Sequence, residues 1–371
     1  MRVIVIGGWA PSLVNFRAPL LAEMVRRGHE VVAVAPEPDE EVAQRLNAIG
    51  VIYRSVPFYR AKIHPLADLG LILRLLRLFR DFRPNLVLSY TAKPVIYGAY
   101  AARLAGVSRY ACMITGLGYA FGGAANSTGF LEKTLYVLYR LALKQAETVF
   151  FQNPDDQKLF IARSLVKAPQ VTQINGSGVD TSYYAPAEIS RGPTVFLLAA
   201  RLLKAKGVYE FVAAARELRR RNLQADFRIL CYFDEDGNPE TIHPDEMKAW
   251  EAEGLITFLG RATDVRPHLA ACHVFVLPSY REGTPRTVLE AMSTGRAVIT
   301  TDVPGCRETV EERVNGLLVP VRDADALANA MQEFIENPEL IESMGRASRR
   351  IALEKYDVDK VNRTIISRLN L

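Results

Sequence analysis

The sequence predicts an α/β chain built from two doubly wound parallel-sheet units in tandem. Three observations predict it. Short apolar runs alternate with helix-like stretches almost throughout; the alternation halts at a polar, proline-bearing stretch over residues 176–193 and then restarts; and 371 residues are too many for one ordinary core and about right for two. The expected units are residues 1–186 and 187–355. A last helix over 356–371, with no strand after it, is expected to pack back on the first unit.

Residues 2–6 read as a first strand entering a turn at Gly7 and Gly8. A helix over 17–27, a strand over 30–35, a helix near 40–49 and a strand over 51–56 follow. Residues 86–89 are another strand, 97–105 a helix and 149–152 a further strand. Residues 69–84 are amphipathic: Leu71, Ile72, Leu75, Leu76, Leu78, Phe79 and Phe82 share one broad helical face, with Arg74, Arg77 and Asp81 opposite. Most of that face is expected in the core. The rim of this helix and the next loop, residues 119–135, are the candidate contacts with an anionic membrane. After the junction come a strand over 195–199, a helix over 209–221, and strands over 225–231, 257–258, 274–277, 297–300 and 316–319. In such sheets ligands bind beyond the carboxyl ends of the strands, and two facing sheets would trap one in the cleft between them.

Bulk properties exclude several classes. Apolar residues make up 49% of the chain, without a low-complexity tract, and arginines interrupt the apolar runs well before membrane-spanning length. The first residues lack a signal peptide's basic start and long apolar run, so a cytoplasmic protein is expected. Cys112, Cys231, Cys272 and Cys306 lie far apart, a spacing that offers neither a zinc site nor a disulfide framework. A net charge of +5 suits an anionic substrate or membrane surface. No basic and aromatic face is clustered as nucleic acid would require.

The chemistry concentrates in two places. Residues 279–295 follow a buried strand and enter a helix, with Thr284 as the expected N-cap, Pro285 in the first turn and Gly295 as the stop. A helix N-terminus there favours an anion, and Glu282 and Glu290 accept hydrogen bonds from hydroxyls. Earlier in the second unit, Arg201, Lys204 and Lys206 follow the strand over 195–199, where cations would hold a diphosphate and stabilise it as a leaving group. Together they suit a sugar carried on a nucleotide diphosphate. Asp234-Glu235-Asp236, beside Gly237 and Pro239, reads as a polar loop rather than a metal site.

Arg201 with Lys206-Gly207, the Glu282-x7-Glu290 spacing, and Pro304-Gly305 followed by Glu308 resemble family 4 of the retaining glycosyltransferases, which have the GT-B fold. Phe16-Arg17-Ala18-Pro19, Gly116-Leu117-Gly118 and residues 60–66 resemble a narrower subgroup. That subgroup, the diphospho-undecaprenol N-acetylgalactosaminyltransferases among it, adds a sugar to an undecaprenyl-diphosphate-linked acceptor. The resemblance implies that Arg201 and Lys206 contact the donor diphosphate and Glu282 the transferring sugar, these three being catalytic. It implies that Glu290 takes the ribose hydroxyls, that Gly283, Thr284, Pro285 and Arg286 line sugar and phosphate, and that Arg261 cradles the base. Gly7, Gly8 and Ser12, in a turn over 7–13, would cover the diphosphate, while Asn15, Arg17, His64, Thr115 and Gly116 would face the acceptor. Thr115 stands where many members have His or Glu, which leaves the donor sugar open. The implied enzyme uses a UDP-sugar without cofactor or metal and works peripherally on the inner face of the cytoplasmic membrane, on a polyprenyl-diphosphate-linked saccharide. Two rivals stay open: a UDP-sugar epimerase or phosphorylase of the same fold, and a non-catalytic sugar-nucleotide-binding protein.

Overall fold

The computed structural model of this chain describes residues 1–59, 64–116, 129–232 and 240–371. Two compact units emerge. The first comprises Met1–Ser177 with Asp359–Leu371, the second Gly178–Val358. Their join thus lies at the start of the polar stretch, ahead of the expected residue 186. The cause is local bonding: Val179 N–H donates to the Tyr356 carbonyl at 2.8 Å and Val358 N–H to the Val179 carbonyl at 3.0 Å. A Cβ on Gly178 would stand 2.7 Å from Val358 Cα. Residues from 178 onward are therefore tied to the second unit.

The first unit carries a seven-stranded parallel sheet in the order β3-β2-β1-β4-β5-β6-β7. Its strands are β1 (Arg2–Ile6), β2 (Glu30–Ala35), β3 (Ile52–Ser55), β4 (Leu86–Tyr90), β5 (Arg109–Ile114), β6 (Thr148–Phe151) and β7 (Val171–Gln173). Successive side chains on β1 point to opposite faces, and both faces are covered. Ile4 and Ile6 join the core formed by Leu71, Leu75 and Phe79 of α3 (Pro65–Phe82) and Val95 and Ala99 of α4 (Ala92–Ala105). Val3 and Val5 join Leu13, Leu21 and Met24 of α1 (Ala10–Arg26) and Leu46 of α2 (Glu40–Asn47). Burying each of the larger of these side chains contributes about 1.5–3 kcal/mol. The C-terminal helix, Val358–Arg368, adds Val361, Ile365 and Ile366 to this second face. Arg109 donates to the Leu369 carbonyl at 2.6 Å and fastens the end of that helix.

Two helices start earlier than their proline content suggests. Helix α1 begins at Ala10 rather than residue 17, with Pro11 in its first turn and Pro19 inside it. Ala10 N–H finds its acceptor in Glu37 Oε2 at 2.9 Å. The turn after β1 is correspondingly short, and Ser12 and Asn15 lie on the helix. Helix α4 starts at Ala92 rather than 97; Pro94 is harmless in a first turn, where its missing N–H has no partner to lose.

The second unit has a six-stranded parallel sheet in the order β10-β9-β8-β11-β12-β13. These strands are β8 (Thr194–Arg201), β9 (Ala225–Tyr232), β10 (Ile256–Gly260), β11 (Val274–Leu277), β12 (Ala297–Thr301) and β13 (Gly316–Val319). Phe196 and Leu198 pack with Phe211 and Leu218 of the helix Val208–Arg220, while Val195 and Leu197 face Val288 and Met292 of the helix Arg286–Ser293. The two sheets share one arrangement: the strand order reverses between β1 and β4 in the first and between β8 and β11 in the second.

Candidate functional site

In the second unit the reversal point is flanked by the loops after β8 and β11, and there the charged residues meet. Arg201 is the last residue of β8 and half-buried. The next residues turn through a short 3-10 helix, Lys204–Lys206, closed by Gly207 N–H on the Lys204 carbonyl at 3.0 Å. A side chain at Gly207 would collide with the Pro278 carbonyl, so glycine lets this turn lie against the end of β11. Tyr280 N–H donates to the Ala205 carbonyl at 2.9 Å and locks the two loops together.

Across that seam Lys206 Nζ donates to Glu282 Oε1. Ser279 Oγ donates to the same oxygen at 2.7 Å. Both members of the ion pair are mostly buried, with 18% and 14% of their side chains exposed. At that burial partner loss is costly, about 3–5 kcal/mol, because a charge would remain in a poor solvent without compensation. The third loop, after β12, supports Glu282 from below. Glu282 N–H donates to the Pro304 carbonyl at 3.1 Å, and Gly305 N–H to Glu308 Oε2 at 2.7 Å. Gly305 has φ of 86°, and a Cβ there would run into the Glu282 carbonyl.

The helix after β11 begins at Arg286, with Pro285 as its N-cap and Thr284 one residue outside it. Thr284 therefore does not cap this helix; the Pro285 carbonyl receives Val288 N–H at 3.1 Å and already starts the turn. The helix ends at Ser293, and Gly295 N–H returns to the Met292 carbonyl at 3.0 Å. Glu290 lies on this helix and is only 7% exposed. Its Oε1 accepts from Arg286 Nε and from the Tyr184 hydroxyl, each at 2.9 Å. Burial pushes the Glu290 carboxyl above the usual carboxylate range, against the opposing effects of Arg286 and Tyr184. Gly283 and Pro285 are buried, and Arg286 is half-buried. Arg261 is exposed just past β10.

The first unit builds its reversal point differently. Gly7 and Gly8 leave β1 beside the end of β4. A Cβ on Gly7 would meet the Tyr90 hydroxyl, and one on Gly8 would stand 2.5 Å from Thr91 Oγ1. Ser12 Oγ lies 2.8 Å from the Tyr90 hydroxyl. Arg17 is 2% exposed, its guanidinium carbon 4.9 Å from the Tyr90 ring centre, a cation–π arrangement. Burial pushes the Tyr90 phenol up to about 12. Thr91 has φ of 69°, a conformation a β-branched residue adopts only where its surroundings enforce it.

The other acceptor-side candidates are dispersed. Asn15 is exposed on α1, and Thr115 and Gly116 follow β5, both half-buried. His64 caps α3: its Nδ1 accepts from Ala67 N–H at 3.4 Å, and its own N–H donates to Asp68 Oδ2 at 3.2 Å. Asp68 in turn binds Lys93 Nζ at 2.6 Å and the Tyr97 hydroxyl at 3.0 Å. Residues 60–63, Leu117, Gly118 and most of the 119–135 loop lie outside the described residues, as does Asp234-Glu235-Asp236.

Sequence reasoning missed Tyr184, Ser279 as the partner of Glu282, and the Asp68–Lys93–Tyr97 cluster. Tyr184 is 106 residues from Glu290 in the chain, and no spacing signals such a pair.

Comparisons with known proteins agree with this architecture. The family model "Glycosyl transferase 4-like domain" matches residues 15–176, and "Glycosyl transferases group 1" matches residues 193–337. The N,N'-diacetylbacillosaminyl-diphospho-undecaprenol alpha-1,3-N-acetylgalactosaminyltransferase of Campylobacter jejuni is 26% identical, over 96% of this chain and 95% of its own length. The UDP-Gal:alpha-D-GlcNAc-diphosphoundecaprenol alpha-1,3-galactosyltransferase of Escherichia coli is 25% identical, over 82% of this chain and 80% of its own. Among solved structures, Anabaena HepE in complex with UDP-glucose superposes with a TM-score of 0.80 at 20% identity, covering 100% of this chain and 99% of that one. With a glycosyltransferase family model on each parallel-sheet unit and a relative aligned nearly end to end, the chain is a glycosyltransferase of GT-B fold.

Proposed function

We propose that this glycosyltransferase moves a sugar from a UDP-sugar to a saccharide carried on undecaprenyl diphosphate, with retention of anomeric configuration and without a metal ion. The observation that carries the donor half is the Lys206–Glu282 pair, which joins the loops after β8 and β11 where the strand order reverses. A cation there can follow the negative charge that develops on the leaving diphosphate, the type of interaction that contributes most to catalysis. Arg201 adds a planar fork of donors at the end of β8. Glu282 is the acceptor for hydroxyls of the sugar, held by Ser279 and the Pro304 carbonyl. Glu290 takes the ribose, and Arg261 borders the base. Lys206 and Arg201 supply the charge that a divalent cation would otherwise bring.

Two relatives with diphospho-undecaprenol substrates support the acceptor class, and one of them, named for UDP-Gal, supports the donor class. HepE, of the same fold, binds UDP-glucose. Asn15, Arg17, His64, Thr115 and Gly116 are the acceptor-side residues in this reading, with Gly7, Gly8 and Ser12 on the diphosphate. The reaction is a front-face displacement. The departing diphosphate accepts the proton of the incoming hydroxyl, and Lys206 holds the charge.

Docking on the inner face of the cytoplasmic membrane has its own support. Leu66, Leu69 and Leu73 of α3 are 78%, 54% and 56% exposed, and Arg74, Arg77 and Arg80 stand exposed on the same helix. Among the described residues no helix is long and apolar enough to cross a membrane. A donor screen on undecaprenyl-diphosphate saccharides, read by mass, tests the proposal. Added hexose or N-acetylhexosamine mass with release of UDP is expected. Turnover of donor without any acceptor would replace it with an epimerase.

A further inference from the structure

Glu290 is an awkward ligand for a ribose: a carboxylate almost out of reach of water, whose charge burial opposes. What makes it usable is the pair of donors on one of its two oxygens. Arg286 Nε reaches Oε1 from one turn earlier on the same helix, and the Tyr184 hydroxyl reaches the same atom from another part of the unit. Two bonds to one oxygen fix the carboxylate plane and direct Oε2, which takes neither of them, for a further partner.

Tyr184 is itself held from both sides. Its N–H donates to the Asp180 carbonyl at 2.9 Å, and its carbonyl accepts from Ser293 Oγ at 2.7 Å and Arg349 Nη1 at 3.1 Å. Ser293 lies on the helix that carries Glu290, so the tyrosine backbone is pinned to the end of that helix while its hydroxyl reaches the carboxylate. The residue is 8% exposed, and its ring packs edge-on to that of Tyr183, with ring centres 5.1 Å apart.

We infer that Tyr184 is a positioning residue for the donor nucleotide: through Glu290 Oε1 it holds the carboxylate in the orientation that accepts the ribose hydroxyls. The inference rests on the reading of Glu290 as the ribose acceptor. Tyr184 does not touch the reacting sugar, so its loss acts on donor binding and leaves the chemical step nearly untouched. A hydrogen bond to a charged group supports about a tenfold or greater effect.

The test compares UDP with 2′,3′-dideoxy-UDP, both titrated calorimetrically into the whole chain. The wild-type protein is expected to prefer UDP, because only UDP offers the diol. Tyr184→Phe keeps the ring and its packing while removing the hydroxyl. It should bind UDP about tenfold more weakly, bind the dideoxy compound as before, and transfer with kcat within about twofold of wild type. Equal weakening toward both nucleotides would mean a merely structural tyrosine, and unchanged UDP affinity would overturn the inference outright. Glu290→Gln separates the two levels. If it keeps the wild-type preference, the ribose reading itself fails. If it loses the preference while Tyr184→Phe keeps it, only the role of Tyr184 fails.

Discussion

The two units share a strand order and a reversal point, yet they furnish that point with opposite materials. In the second unit charged side chains converge: Lys206 meets Glu282 across two loops, and Arg286 meets Glu290 along one helix. In the first unit the same position is filled by close approach: Gly7 against Tyr90, Gly8 against a strained Thr91, and Arg17 laid over an aromatic ring. One surface is prepared for charge and hydroxyls, the other for shape. In the proposed reading the donor chemistry falls on the charged side chains of the second unit.

The largest effect is expected where charge must be stabilised. Lys206→Ala should lower kcat by about a hundredfold or more, with a much smaller change in the affinity for free UDP. Steady-state kinetics beside calorimetry would check this, and an intact kcat would remove Lys206 from the leaving group. Next come the glycines, which sharpen the contrast because their obstacles differ. Gly305→Ala forces a Cβ against the Glu282 backbone at a positive φ, so about a tenfold or greater loss of activity is expected, with no single trimming mutation able to restore it. Gly8→Ala meets a side-chain oxygen instead, 2.5 Å away. Its defect should be largely repaired in the Gly8→Ala, Thr91→Gly double variant, which also removes the φ penalty at Thr91. Failure of that rescue would mean the turn is held by something other than Thr91.

A smaller, pH-dependent effect belongs to Glu290. Because burial raises its carboxyl above the ordinary range, the group takes up a proton at pH values where a surface glutamate stays ionised. Donor KM should therefore rise as pH falls through that raised value. Glu290→Gln should bind the donor weakly at every pH, with this acid limb gone. The smallest effect on the chemistry concerns α3. Replacing Leu66, Leu69 and Leu73 by Ser should weaken binding to anionic phospholipid vesicles, read by sedimentation, by about tenfold or more, since burial of even one leucine contributes about 1.5–3 kcal/mol. Transfer to a short-chain, water-soluble acceptor should stay unchanged.

The contrast between units also explains what the sequence disclosed. The second unit was legible because its chemistry sits in charged residues at fixed spacings: Glu282 and Glu290 stand one helix start apart, and Arg201 and Lys206 follow a strongly apolar strand. The strands β11 and β13 were readable to the residue because both are short apolar runs bounded by polar loops. In the first unit two helices begin earlier than expected: Pro11 and Pro94 stand in first turns, where a missing N–H has no partner to lose. The edge strand β7 is only three residues long and too polar to stand out. Among the exposed leucines of α3, Leu69 and Leu73 fall outside the broad apolar face that the helical wheel sends to the core. Tyr184 was beyond reach for another reason: its partner is on a distant helix, and only tertiary structure joins them.

The most direct test of the central claim is one transfer assay in the presence of EDTA, with a UDP-sugar and an undecaprenyl-diphosphate-linked saccharide, run for the wild-type chain and Lys206→Ala. Wild-type protein should add one sugar mass per acceptor and release UDP, while Lys206→Ala should run at about a hundredth of that rate or less. Donor turnover that ignores the acceptor, or a Lys206→Ala variant as fast as wild type, would contradict the account.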